Sequence, residues 1–190
     1  MTMSALIPVA NGNEEIETVC LIDIARRAGM DVTVASVDQQ TITASRGVRI
    51  IADTSIEECK GTRYDLIAVP GGTEGARRLS GSQRLAELLE RQAGSGRLFG
   101  AICAAPALVL EPLGLLEGRR ATCHPNLFDS LRRGIAVEER VVVDGNCVTS
   151  RGPGTAIEFA LTLVEILFSD QKAKELADAM VVRKRSVLVQ

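Results

Sequence analysis

Tryptophan is absent from the 190-residue chain, tyrosine occurs once, and aromatic residues make up only 3% of the sequence. Proteins that bind single-stranded nucleic acid stack bases on aromatic side chains, so this scarcity argues against that class. The 22 basic and 24 acidic residues leave a net charge of -2. This balance provides no positive electrostatic field that would attract phosphate backbones or anionic lipid. We therefore expect no specific nucleic-acid partner.

Long apolar runs are also missing. No stretch approaches the ~20 apolar residues that a membrane-spanning helix needs. The opening sequence MTMSALIPVANGNEE has neither the basic start nor the apolar core of a secretory signal. These features predict a cytoplasmic protein without a membrane partner. Because neither a linker nor a repeat interrupts the sequence, we expect residues 1–190 to form one domain.

Histidine occurs once, and the five cysteines are scattered over positions 20, 59, 103, 123 and 147. A zinc site of cysteine and histidine needs ligands in close pairs, which this sequence lacks, so we expect no metal. An odd number of cysteines without a secretory signal argues against a disulfide framework. Most free cysteines are small buried hydrophobes, although one of these five could serve as a nucleophile.

Short apolar segments of β character alternate with helical patterns along the chain. The strand segments read ALIPVA, VTVASV, LIAVP, RLFGAIC, ATC and VVVDGNCVTS. The helical patterns cover Glu14–Ala28, Arg77–Gln92, Ala104–Leu110 and Thr155–Phe168. This alternation predicts an α/β protein whose mainly parallel sheet is covered by helices on both faces.

Turn residues and one proline refine this prediction. Arg46-Gly47 and Asp144-Gly145 each separate two β-like runs, which predicts added hairpins. Pro8 cannot donate to a sheet ladder, so we expect it near the end of the first strand. The last ten residues, VVRKRSVLVQ, fit either a docked strand or a frayed tail.

Ligands of open parallel sheets bind at the carboxyl ends of the strands, so the residues that follow each strand are site candidates. Such residues occur at four strand ends: Asn11-Gly12-Asn13 before an acidic helix start, Gly71-Gly72, Cys103 and His124. The predicted fold thus brings an acid, a glycine turn, a thiol and an imidazole to one edge of the sheet.

Cys103 lies between the run LFGAI, which predicts a strand, and AAP, which predicts the start of a helix. A nucleophile on a sharp strand-to-helix turn is exposed, and the N–H groups after it can bind an oxyanion. Pro106 suits the first turn of that helix, whose positive end is expected to favour the thiolate. The alternative is a small buried filler at a strand end, and spacing alone leaves both open.

Glu17 begins a helical stripe with Leu21, Ile24 and Ala28 that is expected to face the core, and Glu14 shares this face. A buried carboxyl beside a thiolate has a raised pKa and can donate a proton. Acidic residues are also common in the first turn of a helix because they complement its dipole, so spacing leaves this alternative open.

The other candidates allow a functional or a structural interpretation. Gly71-Gly72 fits a tight turn or an oxyanion donor at Gly72, and it matches no nucleotide-binding motif. His124 fits a base for Cys103 or a residue that starts a helix. The stretch TSRGPGT, with Arg151, fits an anion site or a plain turn.

Five segments together resemble the ThiJ/PfpI superfamily and, within it, the protein deglycase branch: SALIPVANGNEEIETV, YDLIAVPGGTEGA, GAICAAPALVL, ATCHP and TSRGPGTAIEFAL. The resemblance covers nearly the whole chain. It implies a flavodoxin-like three-layer α/β/α sandwich that is usually a homodimer. It places the family's reactive cysteine, buried glutamate, histidine and two backbone oxyanion donors on Cys103, Glu17, His124, Gly72 and Ala104.

Other positions follow or depart from the family pattern. Arg46 resembles a family arginine that reaches a partner subunit's site. Further candidates for contacts with substrate or a partner subunit are Glu14, Gly71 and Arg151. The protease-like branch has a histidine directly after the cysteine, where this chain has Ala104, which weakens the case for a peptidase. Ile16 replaces a methionine at a position that often belongs to the dimer surface.

The resemblance implies a cofactor-independent cysteine enzyme that acts on methylglyoxal, glyoxal or their early adducts with proteins or nucleotides, and releases lactate or glycolate. Cys103 would attack the carbonyl, Glu17 would move protons, and the amides of Gly72 and Ala104 would hold the oxyanion. Deglycase and glyoxalase activity both remain open, because free aldehyde equilibrates with early adducts. The alternatives are a redox sensor or redox-regulated chaperone with an oxidised Cys103, and a cysteine peptidase.

Overall fold

The computed structural model describes residues 2–182. Its strands are, in chain order, β1 (Ser4–Val9), β2 (Asp31–Ser36), β3 (Thr41–Thr43), β4 (Arg49–Ile51), β5 (Thr54–Ser55), β6 (Leu66–Val69), β7 (Leu98–Ile102), β8 (Arg120–Ala121), β9 (Ile135–Ala136), β10 (Val141–Asp144) and β11 (Cys147–Ser150). Its α-helices are α1 (Glu15–Ala28), α2 (Thr73–Ser80), α3 (Gln83–Gly94), α4 (Ala156–Leu167) and α5 (Asp170–Ala179).

The main sheet has the strand order β10-β11-β7-β6-β1-β2-β5. Neighbouring strands are parallel except β10 and β11, which are antiparallel. Helices α1, α4 and α5 contact one another on one face of the sheet, and α2 and α3 contact one another on the other face. The predicted flavodoxin-like α/β/α fold is confirmed, and the carboxyl ends of β1, β6 and β7 lie side by side.

Helix α1 follows the predicted pattern closely. Glu14 caps its first turn, because the carboxylate accepts the N–H of Ile16. The expected stripe is buried against the core: Glu17, Leu21, Ile24 and Ala28. Burying a leucine or isoleucine side chain, such as that of Leu21 or Ile24, contributes about 1.5–3 kcal/mol relative to leaving it exposed. This apolar packing carries the carboxyl of Glu17 into the interior.

The single helix expected over Arg77–Gln92 is wrong, because this part of the chain forms two helices, α2 and α3. Helix α2 ends at Ser80 with Gly81 as its C-cap, and Ser82 caps α3 by accepting the N–H of Leu85 at 3.2 Å. A serine hydroxyl at this position satisfies a free donor of the first helical turn. The Gly81-Ser82 pair therefore ends one helix and starts another.

Both predicted hairpins are present. Strand β3 pairs antiparallel with β4 around Arg46-Gly47, and β10 pairs antiparallel with β11 around Asp144-Gly145. Pro8 lies one residue before the end of β1, close to the position that its missing ladder donor predicts.

The segment after β7 differs from the expected α-helix over Ala104–Leu110. Residues Pro106–Leu110 form a short π-helical segment, in which the N–H of Glu111 donates to the carbonyl of Pro106 at 2.9 Å. Such segments are rare and often occur at functional sites. Cys103 therefore precedes a π-helical segment and not the regular α-helix that we expected.

Helix α5 packs against α1 and α4 near the end of the described chain. Of the last ten residues, for which we expected a docked strand or a tail, residues 183–190 lie outside the described part. None of the helices within residues 2–182 is both long enough and apolar enough to cross a membrane.

Candidate active site

Cys103 directly follows β7 and has a φ of 65°, which is uncommon for a residue with a side chain. Its N–H donates to the carbonyl of Ser150 at 3.0 Å, and its carbonyl accepts the N–H of His124 at 2.8 Å. These two bonds hold a backbone conformation that costs energy on its own. The sharp turn expected here is present, and it places the thiol at a cavity, where the residue is 8% exposed.

The carboxyl of Glu17 lies beneath the Gly71 turn. Its Oε2 accepts the N–H of Gly71 at 2.7 Å, and the side chain is fully buried. A Cβ on Gly71 would lie 2.5 Å from Cβ of Cys103 and 2.7 Å from Oε2 of Glu17, so only glycine fits between them. Within residues 2–182, Oε1 of Glu17 has no partner with hydrogen-bond geometry, and the Cys103 thiol is the polar group beside this carboxyl.

Burial raises the pKa of Glu17 to about 7, although the N–H of Gly71 and the Cys103 thiol act in the opposite direction. Burial also raises the pKa of Cys103 to about 12, and the charge of Glu17 adds to this effect. The N–H groups of Gly72 and Ala104 lower the pKa of the thiol without outweighing burial.

Burial and the negative charge of Glu17 therefore act on the thiol pKa in the direction opposite to the helix start that we expected to favour the thiolate. The thiol and the carboxyl titrate as a pair, because a proton on Glu17 removes the negative charge beside the sulfur.

Two backbone N–H groups face the sulfur of Cys103, those of Gly72 and Ala104. Gly72 has a φ of 83°, and a Cβ there would lie 2.4 Å from the carbonyl oxygen of Gly12 and 2.6 Å from the nitrogen of Glu14. Only glycine fits this left-handed and crowded position. The two donors are suited to hold a negative oxygen on a carbon atom bound to the sulfur.

A cavity of about 660 Å³ opens above Cys103. Its wall contains these predicted site residues: Glu14, Arg46, Gly72, Cys103, Ala104 and His124. Gly71 and Glu17 lie beneath the cavity, against Cys103. The fold thus brings together the strand ends that the sequence singled out.

His124 lines the cavity, but its ring already has a structural partner. Nδ1 of His124 accepts the N–H of Asn126 at 3.3 Å, which caps the short helix Pro125–Ser130. The geometry favours the interpretation of His124 as a residue that starts a helix.

Arg151 does not line the cavity. Its guanidinium lies 5.9 Å from the centroid of the Phe128 ring and 3.7 Å from the carboxylate of Glu138. The TSRGPGT loop is closed on itself, because Oγ1 of Thr155 accepts the N–H of Gly152 at 3.1 Å. The structure therefore favours the turn interpretation of this loop.

The hairpin loop at Ser45-Arg46 forms one rim of the cavity, and Glu15 holds it in place. The carboxylate of Glu15 accepts the Ser45 hydroxyl and the Arg46 N–H, both at 2.8 Å. The Ser45 hydroxyl also lies 3.0 Å from Oε2 of Glu14. The sequence marks Glu15 only as an acid at a helix start, because a contact with a loop 30 residues away leaves no periodic signal. The Arg46 side chain is exposed at this rim of its own chain.

The five cysteines are free thiols, of which Cys103 lines the cavity and Cys20 is half-buried on α1. Across residues 2–182, His, Cys, Asp and Glu side chains form no group of three or more that could hold a metal ion.

The chain matches the DJ-1/PfpI family over residues 3–166, which is most of its length. It belongs to this family. The resemblance to the ThiJ/PfpI superfamily that the sequence segments suggested is thereby confirmed.

Several family members are similar along nearly the whole chain. Protein DJ-1 homolog B of Arabidopsis thaliana is 44% identical over 182 residues, which are 95% of this chain and 42% of that protein. The chain spans less than half of that relative and of DJ-1 homolog A from the same plant. The glutathione-independent glyoxalase DJR-1.2 of Caenorhabditis elegans is 35% identical, with 90% of this chain and 91% of that protein covered. Oxidized DJ-1 of Toxoplasma gondii has a TM-score of 0.94 at 43% identity, covering 96% of this chain and 100% of that one.

Proposed function

We propose that this protein is a cofactor-independent cysteine enzyme that converts methylglyoxal and glyoxal, free or as early adducts of proteins and nucleotides, to lactate and glycolate. One observation carries the proposal. At the base of the cavity, Cys103 lies between the buried carboxyl of Glu17 and the N–H groups of Gly72 and Ala104. The name of the C. elegans relative, a glutathione-independent glyoxalase, supports the substrate class.

The first step is addition of Cys103 to the aldehyde. The thiol proton passes to Glu17, the sulfur forms a bond with the aldehyde carbon, and the carbonyl π electrons move to oxygen. The N–H groups of Gly72 and Ala104 stabilise the oxyanion until Glu17 returns the proton to it. The product is a hemithioacetal in which the sulfur and a hydroxyl share one carbon.

The second step moves hydrogen within the adduct. The carboxylate of Glu17 removes the proton from the carbon bonded to sulfur, and the resulting enediol takes a proton at the neighbouring carbon. The first carbon is oxidised and the second is reduced, so no external oxidant or reductant is needed. Water then cleaves the thioester, which releases lactate and restores the Cys103 thiol. A carboxyl with a pKa of about 7 is suited to give and take protons at neutral pH.

Formation of lactate from methylglyoxal without glutathione tests the proposal. We expect lactate from the wild-type chain and from Cys20→Ser, whose thiol lies on α1 away from the cavity, and none from Cys103→Ser. Measuring lactate excludes mere trapping of the aldehyde by arginine. Lactate from Cys103→Ser, or none from the wild-type chain, would contradict the proposal.

A competition experiment separates glyoxalase from deglycase activity. Increasing amounts of N-acetylarginine convert a fixed total of methylglyoxal into its early adduct. If only free aldehyde reacts, the initial rate follows the falling free concentration. If the enzyme attacks the adduct itself, the rate exceeds the spontaneous release of aldehyde from the adduct.

A redox sensor is the second candidate, and the location of the thiols favours it. Cys103 is the cysteine that lines the cavity, and a solved relative is oxidized DJ-1. Two peroxide molecules would each transfer one oxygen atom to the Cys103 sulfur and leave as water, giving a sulfinate that protonated Glu17 can hydrogen-bond. Peptide mass spectrometry after mild peroxide treatment should find this modification on Cys103 before the other four cysteines.

Free thiols also fit a reducing compartment, and we propose that the protein is located in the cytoplasm.

We also propose that the chain forms a homodimer through α1 and the first hairpin. Ile16 and Val19 on α1, and Val48 and Ile51 at the hairpin, are exposed large apolar side chains, a feature that marks interaction surfaces. Sedimentation equilibrium should give twice the chain mass for the wild type and one chain mass for Ile16→Glu combined with Val19→Glu. Val143→Glu, which changes an exposed valine on β10, should remain a dimer. A wild-type monomer would contradict this proposal.

A further inference from the structure

Asn13 is fully buried in the turn between β1 and α1, and the mechanism above gives it no role. Its Oδ1 accepts the N–H of Ala10 at 2.6 Å, and its Nδ2 donates to the carbonyl of Gly71 at 2.7 Å. The carbonyl of Pro70 lies 3.4 Å from the same Nδ2. A Cβ on Gly75 would lie 2.5 Å from Nδ2, so the amide is tightly packed as well as hydrogen-bonded. The side chain links the end of β1 to the glycine turn after β6.

The carbonyl of Gly71 accepts a second hydrogen bond, from the N–H of Glu14 at 3.1 Å. This carbonyl and the N–H of Gly72 belong to one trans peptide group, which points them in opposite directions. Donors held behind the carbonyl therefore fix the direction of the N–H, which faces the Cys103 sulfur. Hydrogen bonds to a carbonyl also polarise its peptide group and strengthen the N–H as a donor.

We propose that Asn13 is a positioning residue that sets the direction and the donor strength of the Gly72 N–H at the oxyanion site. Glu17 holds the preceding peptide group through the N–H of Gly71. Glu17 thus holds the peptide group that contains the Gly71 N–H, and Asn13 holds the next one, which contains the Gly71 carbonyl and the Gly72 N–H. This inference rests on the proposed function, because the oxyanion site gives the Gly72 N–H its role.

Asn13→Asp is the sharpest variant, because it keeps the side-chain shape and the acceptor for the Ala10 N–H. A protonated carboxyl at this position donates to the Gly71 carbonyl as the amide does, whereas an ionised carboxyl repels it. The titratable groups around the turn are Glu14 before α1, Glu17 on α1, Glu74 on α2 and Cys103 after β7. The negative charge of the ionised glutamates favours the protonated form of the new carboxyl.

We expect the ratio of kcat/KM for Asn13→Asp to that of the wild type to approach one at low pH. The ratio should fall to about one tenth or less as the new carboxyl ionises. The fall should come from a lower kcat with little change in KM, because an oxyanion donor acts in the transition state. Asn13→Ala should show a similar loss at every pH. A purely structural role would lower the amount of folded protein without adding an ionisation to the pH profile.

A second readout does not depend on turnover. Because the Gly72 N–H stabilises the Cys103 thiolate, alkylation of Cys103 by iodoacetamide, followed by peptide mass spectrometry, should need a higher pH in Asn13→Ala than in the wild type. Asn11→Ala is the matched control in the same turn. Its side chain bonds Asp38 and Thr43 instead, so its alkylation profile should match the wild type.

The outcomes separate this inference from the proposed function. Folded Asn13→Asp and Asn13→Ala proteins with wild-type kcat and alkylation profiles would overturn the positioning role, whether or not the wild type makes lactate. A shifted alkylation profile in a protein that makes no lactate would support the positioning role and contradict the proposed activity. If Asn13→Ala does not fold, the Asn13→Asp variant carries the test alone: a ratio to wild type that stays at one as the pH rises would overturn the positioning role.

Discussion

The main chain of His124 supports Cys103 whatever its ring does, because the N–H of His124 donates to the carbonyl of Cys103 at 2.8 Å. Any residue except proline keeps this bond. The ring instead accepts the N–H of Asn126 at the start of a short helix. The backbone of residue 124 and its side chain therefore have separate roles, which substitutions can tell apart.

His124→Gln should lower kcat/KM by about tenfold or less, whereas Cys103→Ser should abolish turnover. Loss of a true general base typically costs about 100-fold to 10,000-fold, which is a clearly larger effect. Initial rates of lactate formation at neutral pH measure the difference. A loss in His124→Gln as complete as in Cys103→Ser would restore His124 as the base.

Activity should rise as the pH increases through about 7. In that range the pair of Cys103 and Glu17 loses its first proton and reaches the singly protonated state that attack on the aldehyde requires. In Glu17→Gln this ionisation is absent, so the rise should disappear and kcat/KM should be low. Profiles of kcat/KM from about pH 5 to about pH 9 check both variants. The same rise in Glu17→Gln would show that another group titrates.

Glu17→Gln should also stabilise the fold at about pH 8 and leave it nearly unchanged at about pH 4. The pKa of Glu17 rises from 4.5 to about 7 on folding, so the folded state binds this proton more tightly than the unfolded state. The resulting stability is complete below about 4.5 and is lost as the pH rises through about 7. At about 1.4 kcal/mol per pKa unit, a neutral glutamine avoids a loss of up to about 3 kcal/mol.

Urea unfolding at the two pH values measures this effect. Glu90→Gln, on the exposed face of α3, is the matched control and should change neither value by more than about 0.5 kcal/mol. Equal pH dependence of the free energy of unfolding in Glu17→Gln and the wild type would contradict the raised pKa of Glu17.

Gly71→Ala should impair both stability and turnover, because its methyl group would meet Cys103 and Glu17 at once. Overpacking of this kind costs about 1–3 kcal/mol, and the shift of the turn should lower kcat by at least about tenfold. Gly154→Ala is the control, since a Cβ there meets no atom within 4 Å. Thermal unfolding and lactate assays measure the two effects, and wild-type behaviour of Gly71→Ala would mean that the turn has room to move.

The sequence predicts the site where periodicity and strand ends determine position. The apolar stripe of α1 predicts the burial of Glu17, and the parallel order of the strands predicts that Gly72, Cys103 and His124 meet at one edge. These features are local patterns repeated along an element, so a single sequence displays them. The family resemblance adds roles for the same residues.

Other features depend on contacts between distant segments, which no local pattern shows. The bond from Asn13 to Gly71 joins two loops 58 residues apart. The high pKa of the Cys103 thiol depends on its burial and on the charge of Glu17. Arg151 contacts Phe128 on the short helix Pro125–Ser130 and Glu138 on the loop after β9, and it does not line the cavity. The pair Gly81-Ser82 is typical of a helix end followed by a helix start, but the helical patterns on both sides of it predict one continuous helix.

The residues that line the cavity extend from Gly12 to Pro153, and the strands that carry them pair in parallel across long stretches of sequence. No short fragment contains all of them. A nascent chain therefore exposes Cys103 as an ordinary thiol until most of the sequence has been synthesised and the sheet has closed. Turnover by this protein would thus report complete folding, and a chain truncated before Pro153 would react with aldehydes only as a simple thiol does.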